Sequence, residues 1–326
     1  MISQIRATPF IVLYLDFIEI DLDLEYHHFK DTGISLINGQ DPGAIEKFSE
    51  ATVLMVTASL VNKYLLDSMP QLKLIVRHGS GYDNIDVEEC SRKGLPVIVI
   101  PDYCTLEVVE HTLAFIFASV RNLWTAKSLN SHEHRGAWQS IAPVHQLNLH
   151  RVGIIGYGEI GRGLSRILRL LNVPVFIYTP HPPSIAGSEE NFVSLEWIAK
   201  ECDIISIHCS LNASSTKLIN SAFLEQMKPT AWLINTARGP IIDQEALLDA
   251  LRGKQLGGAA VDVLDTSLPF PTQELTEFNN FIYSHHLAWY SEESLLQIRQ
   301  RIIEAILQFA QTGEVHEKCI NPHVLN

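Results

Sequence analysis

Residues 151–162 read RVGIIGYGEIGR, close to the middle of a 326-residue chain. Val152–Ile155 is a short apolar run. Gly156, Gly158 and Gly161 follow with GxGxxG spacing, and Leu164, Ile167, Leu168 and Leu171 recur at helical intervals. That order predicts strand, tight turn, helix. In such a turn one glycine bends the chain, one lets backbone approach a pyrophosphate, and one lets the helix pack on the strand. The helix N-terminus then offers free N–H groups and partial positive charge to phosphate. An ordinary glycine-rich βα turn is the bland alternative. The strand before and the helix after favour a dinucleotide site around Gly156, Gly158, Glu159, Ile160 and Gly161.

Outward from that turn, the same alternation recurs on both sides. Upstream, strands are expected at 8–16, 34–37, 51–57, 72–76 and 97–100, with helices over Ile18–Lys30 and through Leu65–Met69. A long apolar helix is expected over Leu106–Leu123. Downstream, strands are expected at 152–155, 175–178, 203–207, 231–234, 257–261 and 281–284, before a last helix at Glu292–Gln311. Strands alternating with helices imply parallel sheets and an α/β fold of two doubly wound units, with a ligand in the crevice between them. Residues 125–150 break the alternation and are expected to cover a surface or an interface.

Length alone favours two domains. With 46% hydrophobic and 19% charged residues, the chain can build sizeable cores. A net charge of −13 argues against nucleic acid or an anionic membrane as a direct partner. The five cysteines include no CxxC pair, which points to reduced thiols and no zinc site. No apolar run approaches a membrane span, and no basic-then-apolar leader is visible, so the cytoplasm is the expected compartment.

Four further segments carry chemistry. RHGSGYDNID (77–86) places glycines and Arg77 at a strand end, where exposed N–H groups can hold a carboxylate. INTARGP (234–240) puts Arg238 just past an apolar strand, where a guanidinium can fork onto a carboxylate and polarise a carbonyl. YSHHLAWYSE (283–292) offers a strand-end histidine that can exchange the proton accompanying hydride transfer; His285 reads as structural. AAVDVLDTSLP (259–269) brings Asp262 and Asp265 to another strand end, either of them readable as a mere cap.

Taken in order, GSGYDNID, GYGEIGR, INTARGPIID, AAVDV and HHLAWYSEES resemble the D-isomer-specific 2-hydroxyacid dehydrogenase family over roughly residues 8 to 320. HLAWYSEES resembles the branch with the C-terminal-binding proteins and phosphoglycerate-dehydrogenase-like enzymes. The resemblance implies a Rossmann-like cofactor domain (103–289) inserted into a discontinuous substrate domain (1–102 and 290–326). It implies reversible, D-specific hydride transfer between a nicotinamide and C2 of a small 2-oxo or 2-hydroxy acid. Arg238 would clamp the substrate and His286 would be the general acid/base. Ser80 and Gly81 would bind carboxylate, with Arg77 beside them and Trp289 lining the pocket. Asp262 would contact the nicotinamide amide. Val108, His208, Cys209, Thr236 and Ala237 would border the cofactor. The long helix and the segment around Trp124 and Trp138 would form a homodimer interface.

Three positions depart from the family pattern. Ser267 stands where a glutamate usually supports the catalytic histidine, so slower turnover or a lower pH optimum is expected, unless Asp265 substitutes. Thr179 stands where an aspartate usually binds the adenosine ribose. No acid occurs from Arg162 to Ser188, and His181 is the one nearby candidate cation; NAD is expected, with NADP permitted. Glu159 stands where relatives often carry arginine, so weak cofactor binding is expected. Together these departures leave room for a dinucleotide-sensing, corepressor-like protein as the rival to an enzyme.

Overall fold

The computed structural model describes residues 10–17, 21–129, 138–183, 190–268 and 278–325. The chain divides into two units: Met1–Tyr103 with Ser291–Asn326, and Cys104–Tyr290. Unit 2 is therefore an insertion within unit 1.

Unit 1 begins with β1 (Phe10–Tyr14), α1 (Asp23–Phe29), β2 (Ile34–Asn38), β3 (Val53–Val56), α2 (Lys63–Asp67), β4 (Leu74–Arg77), α3 (Val87–Arg92) and β5 (Val97–Val99). Unit 2 comprises α4 (Thr105–Val120), α5 (Leu123–Ser128), α6 (Trp138–Ile141), β6 (Val152–Ile155), α7 (Glu159–Leu170), β7 (Val175–Tyr178), β8 (Asn191–Phe192), α8 (Leu195–Glu201), β9 (Ile204–Ile207), α9 (Ser221–Leu224), β10 (Trp232–Asn235), α10 (Gln244–Arg252), β11 (Gly258–Val261) and β12 (Phe281–Tyr283). Unit 1 resumes with α11 (Glu292–Thr312) and β13 (Lys318–Cys319).

The unit 1 sheet has the order β13-β5-β4-β3-β1-β2, parallel except for β13. The unit 2 sheet has the order β12-β11-β10-β9-β6-β7-β8 and is parallel throughout. Strand order reverses at β6, which pairs with β7 on one side and β9 on the other. Ligands of open α/β sheets bind at such switch points, beyond the carboxyl ends of the strands. The central strands are buried on both faces, as β3 and β9 show along their full length. This is why they read as continuous apolar runs and not as alternating patterns.

Some expected elements change on folding. The helix expected over Ile18–Lys30 is only Asp23–Phe29, with residues 18–20 outside the described set. Asp21 Oδ1 accepts from Asp23 N at 3.0 Å, so the aspartate forms a local turn and the helix starts after it. The helix expected to reach Leu123 ends at Val120; Asn122, at φ 49°, takes a left-handed conformation and separates it from α5. The two-residue edge strands β8 and β13 carry no readable pattern. No helix among the described residues is long and apolar enough to cross a membrane.

In unit 1, α11 is fastened to α1 by a buried ion pair. Arg299 Nε and Nη2 donate to the two Glu25 carboxylate oxygens at 2.9 and 2.6 Å, and Glu25 is 1% exposed. The returning chain is fixed by Asn321, whose amide oxygen accepts from Val97 N at 2.9 Å while its nitrogen donates to Ser91 Oγ and Leu95 O at 3.0 Å each.

Candidate functional site

The glycine turn lies at the carboxyl end of β6, at the switch point. Gly156 has φ +105°, and a Cβ there would sit 2.5 Å from Cys209 N and 2.6 Å from the His208 carbonyl carbon. A Cβ on Gly161 would collide with Gly156 O. Gly158 instead faces open space, and as N-cap of α7 it leaves the first-turn N–H groups without a side-chain cap. Two glycines thus serve packing, and the third keeps a cradle that a side chain would fill. That cradle, at a helix N-terminus, fits a pyrophosphate. Glu159 pairs with Arg162 and is well exposed. Ile160 packs on the core beneath. Replacing Gly158 by alanine is expected to leave the melting temperature unchanged and weaken NADH binding. Gly161→Ala is expected to lower both, since overpacking typically costs about 1–3 kcal/mol. Fluorescence titration with NADH beside thermal melts checks this.

His208, just past β9, presses against that turn. Its Nε2 lies 2.8 Å from Ser206 Oγ. Ser206 is fully buried, and its hydroxyl needs an acceptor, which a neutral Nε2 supplies. Hydrogen-bond accounting therefore assigns the ring proton to Nδ1, a buried atom with no partner among the described residues. Burial pushes the His208 pKa down to about 3, so the ring stays neutral at physiological pH. The neighbouring Cys209 thiol is pushed up to about 11 by burial.

The Arg238 loop leaves β10. Asn235, 0% exposed, accepts from Ala237 N at 3.0 Å and donates to Arg238 O at 2.9 Å. The guanidinium is half-buried, with Nη1 donating to Ala237 O at 2.8 Å. Gly239 lets this loop touch the one after β11, because a Cβ there would collide with the Leu264–Asp265 backbone. Thr236 is buried and its hydroxyl lies 3.1 Å from that of Thr112, which donates to Val108 O at 2.7 Å.

The His286 turn follows β12. His285 and His286 both have positive φ, 59° and 61°, and both are exposed. Asp262, 1% exposed, sits beneath them. His286 N donates to Asp262 O at 2.6 Å, Leu287 N to Oδ1 at 2.8 Å, and Ala288 N to Oδ2 at 3.1 Å. Ser284 Oγ also donates to Oδ1. The Asp262 carboxylate thus accepts three bonds, two on Oδ1 and one on Oδ2. Its visible work is to hold the turn. Trp289 is half-buried, with its ring 5.5 Å from that of Tyr290.

A family profile described as "D-isomer specific 2-hydroxyacid dehydrogenase, NAD binding domain" matches residues 113–288. The chain belongs to this family. It is 30% identical over 291 residues to a glyoxylate reductase of Thermococcus litoralis, covering 86% of this chain and 87% of that one. The D-lactate dehydrogenase of Aquifex aeolicus, solved with NAD and lactic acid, superposes with a TM-score of 0.81 at 26% identity, over 92% of this chain and 95% of that one. An acyclic imino acid reductase (Bsp5), solved with NADPH and D-Arg, gives 0.82 at 25% identity, over 95% and 99%. The protein is accordingly an oxidoreductase, and its cofactor is NAD(P).

In unit 1 of this dehydrogenase, Arg77 ends β4 and its guanidinium lies over Gly79; Ser80 is exposed and Gly81 half-buried. Asp16 accepts from the N–H groups of Thr57, Ala58 and Ser59 at 2.7, 2.6 and 2.7 Å. Asn84 donates to Ser59 O at 2.8 Å, which ties the two strand-end loops together. Asp265 Oδ1 accepts from both the N–H and the hydroxyl of Ser267, at 3.0 and 2.6 Å. Thr179 follows β7 half-buried, and His181 is exposed. Sequence reasoning missed Asp16, Asn84, His111, Thr112, Ser206 and Asn235 as supports. The partners of Asp16, Asn84, His111 and Thr112 lie 25 to 173 positions away in the chain, so spacing could not find them; Ser206 and Asn235 bond residues two or three positions on and read as ordinary polar residues at strand ends.

Proposed function

We propose that the protein reversibly reduces a small 2-oxo acid to the D-2-hydroxy acid, with Arg238 holding the substrate carboxylate and carbonyl and His286 exchanging the proton. The observation that carries this reading is the way the chain holds those two residues. Asn235 and Asp262, at 0% and 1% exposure, have no visible task except to fix the loops presenting a half-buried guanidinium and an exposed imidazole. Buried polar groups spent this way are a feature of preorganised sites. The bound nicotinamide supplies or accepts the hydride. The His208 Nδ1–H would be free to donate to the bound dinucleotide, and Cys209, Thr236, Ala237 and Val108 would border it. Unit 2 is the cofactor domain. Unit 1 is read as the substrate domain, whose Ser80 and Gly81 N–H groups and Arg77 would suit a carboxylate; Trp289 of unit 2 would contact the substrate. The names of the relatives favour an acid of glyoxylate or pyruvate size. With Thr179 at the ribose position, NAD(H) is preferred and NADP(H) tolerated.

The test is NADH and NADPH oxidation against a panel of 2-oxo acids, with Arg238→Ala and His286→Ala as controls. Turnover lost in both variants supports the reading. No turnover across the panel, with dinucleotide still bound, turns the assignment to a sensor, a reading that Ser267 favours.

Ser267→Glu is expected to move the alkaline limb of the reduction profile upward by about one pH unit. A carboxylate beside imidazolium favours the charged form, so the proton donor persists to higher pH. Superimposable pH profiles for variant and wild type would refute this.

The protein is further proposed to be a cytoplasmic homodimer. Phe117, Leu123, Trp138 and Leu149 of unit 2 are exposed apolar side chains, a composition that suits a self-complementary interface. A monomeric mass by light scattering at micromolar concentration would overturn this.

A further inference from the structure

We propose that His111 is a positioning residue for the catalytic turn, acting through Ser284 on the shell that holds His286. The inference rests on the reading of His286 as the acid/base.

Two consecutive non-glycine residues in the left-handed region form an unfavourable backbone, and one that persists only where its surroundings over-determine it. Here the surroundings are visible. Ser284 N donates to Val261 O at 3.1 Å, and the next three donors along the turn go to Asp262. The Tyr283 and His285 rings lie 4.2 Å apart. Everything so far comes from β11, β12 and the turn itself. His111 adds a contact from α4, since its Nε2 lies 2.9 Å from Ser284 Oγ.

The direction of this contact follows from proton accounting. The Asp262 carboxylate can only accept, so the Ser284 hydroxyl proton is committed to it. Ser284 Oγ is then an acceptor toward His111, and Nε2 must carry a proton. Burial lowers the His111 pKa, with the Asp262 charge opposing, so the ring is the neutral Nε2–H tautomer. The chain of donors runs His111 to Ser284 to Asp262. It locks the Ser284 rotamer and keeps one Asp262 oxygen aligned with Leu287 N.

The next residue along α4 performs the parallel task. Thr112 meets Thr236 at 3.1 Å, in the loop that carries Arg238. Adjacent residues of one helix thus brace the two loops whose side chains must act on one substrate. A shift of α4 would move both, and the relative placement of guanidinium and imidazole is what a reaction of this kind needs.

The experiment compares His111→Ala, His111→Gln, Ser284→Ala, Ser284→Thr and the double alanine variant, with His286→Ala as the reference. Each is assayed for kcat, for KM and for NADH dissociation by fluorescence. His111→Ala and Ser284→Ala are expected to lower kcat roughly tenfold with NADH affinity within about twofold of wild type. Gln and Thr, which keep the donor and the hydroxyl, should recover most of the loss. The double variant should be no worse than Ser284→Ala, because both remove one chain. Unchanged kcat in His111→Ala, equal losses in His111→Ala and His111→Gln, or multiplying effects in the double variant would each overturn the proposal. Should His111→Ala fail to fold, the Gln variant and the Ser284 pair decide. If His286→Ala keeps full turnover, it is the acid/base reading that fails.

Discussion

His286→Ala is expected to lower kcat by about 10²–10⁴-fold, the span over which a positioned general acid or base contributes. NADH affinity should hold, because the imidazole is exposed on a turn whose backbone bonds to Asp262 do not involve the ring. The loss should appear in kcat and kcat/KM alike, as for an interaction made mainly in the transition state. Asp262→Ala makes the contrast. It removes three donors' partner at once and should disturb the turn itself, so its kcat loss should come with a lower melting temperature. Steady-state kinetics beside thermal melts separates the two. A His286→Ala enzyme within threefold of wild type would remove this residue from the mechanism.

Glu25→Ala should give the largest loss of stability in unit 1, about 3–5 kcal/mol, the usual result of stripping one partner from a buried ion pair. The side chain of Arg299 is only 15% exposed, and without Glu25 its charge faces Asp21, whose carbonyl accepts from Nη2 at 3.2 Å and whose carboxylate lies 3.9 Å away, so the loss falls toward the low end of that range. Replacing both partners by apolar residues, as in Glu25→Leu with Arg299→Met, should recover much of that loss, because no uncompensated charge is then buried. With two units, urea unfolding should be followed by separate probes, since a single transition is not assured. NADH binding by unit 2 should survive the substitution under native conditions. A shift under 1 kcal/mol in the unit 1 transition would show that the pair is replaceable by water.

The glycine turn, the alternation of strands and the apolar central strands were legible in the sequence because each is local. A strand buried on both faces must be apolar, and a tight turn below a helix must be glycine-rich. The motifs around Arg238 and His286 were legible for a related reason: they sit at strand ends, where a parallel sheet presents its ligand-binding residues. Helix ends were less so. Asn122 ends α4 by adopting a left-handed conformation that no composition rule demands of it.

What the sequence by itself determined is the architecture of two α/β units, the glycine turn at the start of α7 and the strand-end motifs that carry Arg238 and His286. What only the tertiary structure decided is how those side chains are held. Asp262 reads in the sequence as a cofactor contact or a cap, and folding makes it the buried anchor of a left-handed turn. Asp265 reads as a mere cap or turn residue, and folding sets the Ser267 N–H and hydroxyl on its Oδ1. Ser206 and His208 fix a tautomer, and His111 reaches Ser284 across 173 positions of chain. The physical reason is the same in each case. A carboxylate, hydroxyl or imidazole can serve many partners, and burial selects among them by leaving only those within hydrogen-bond reach.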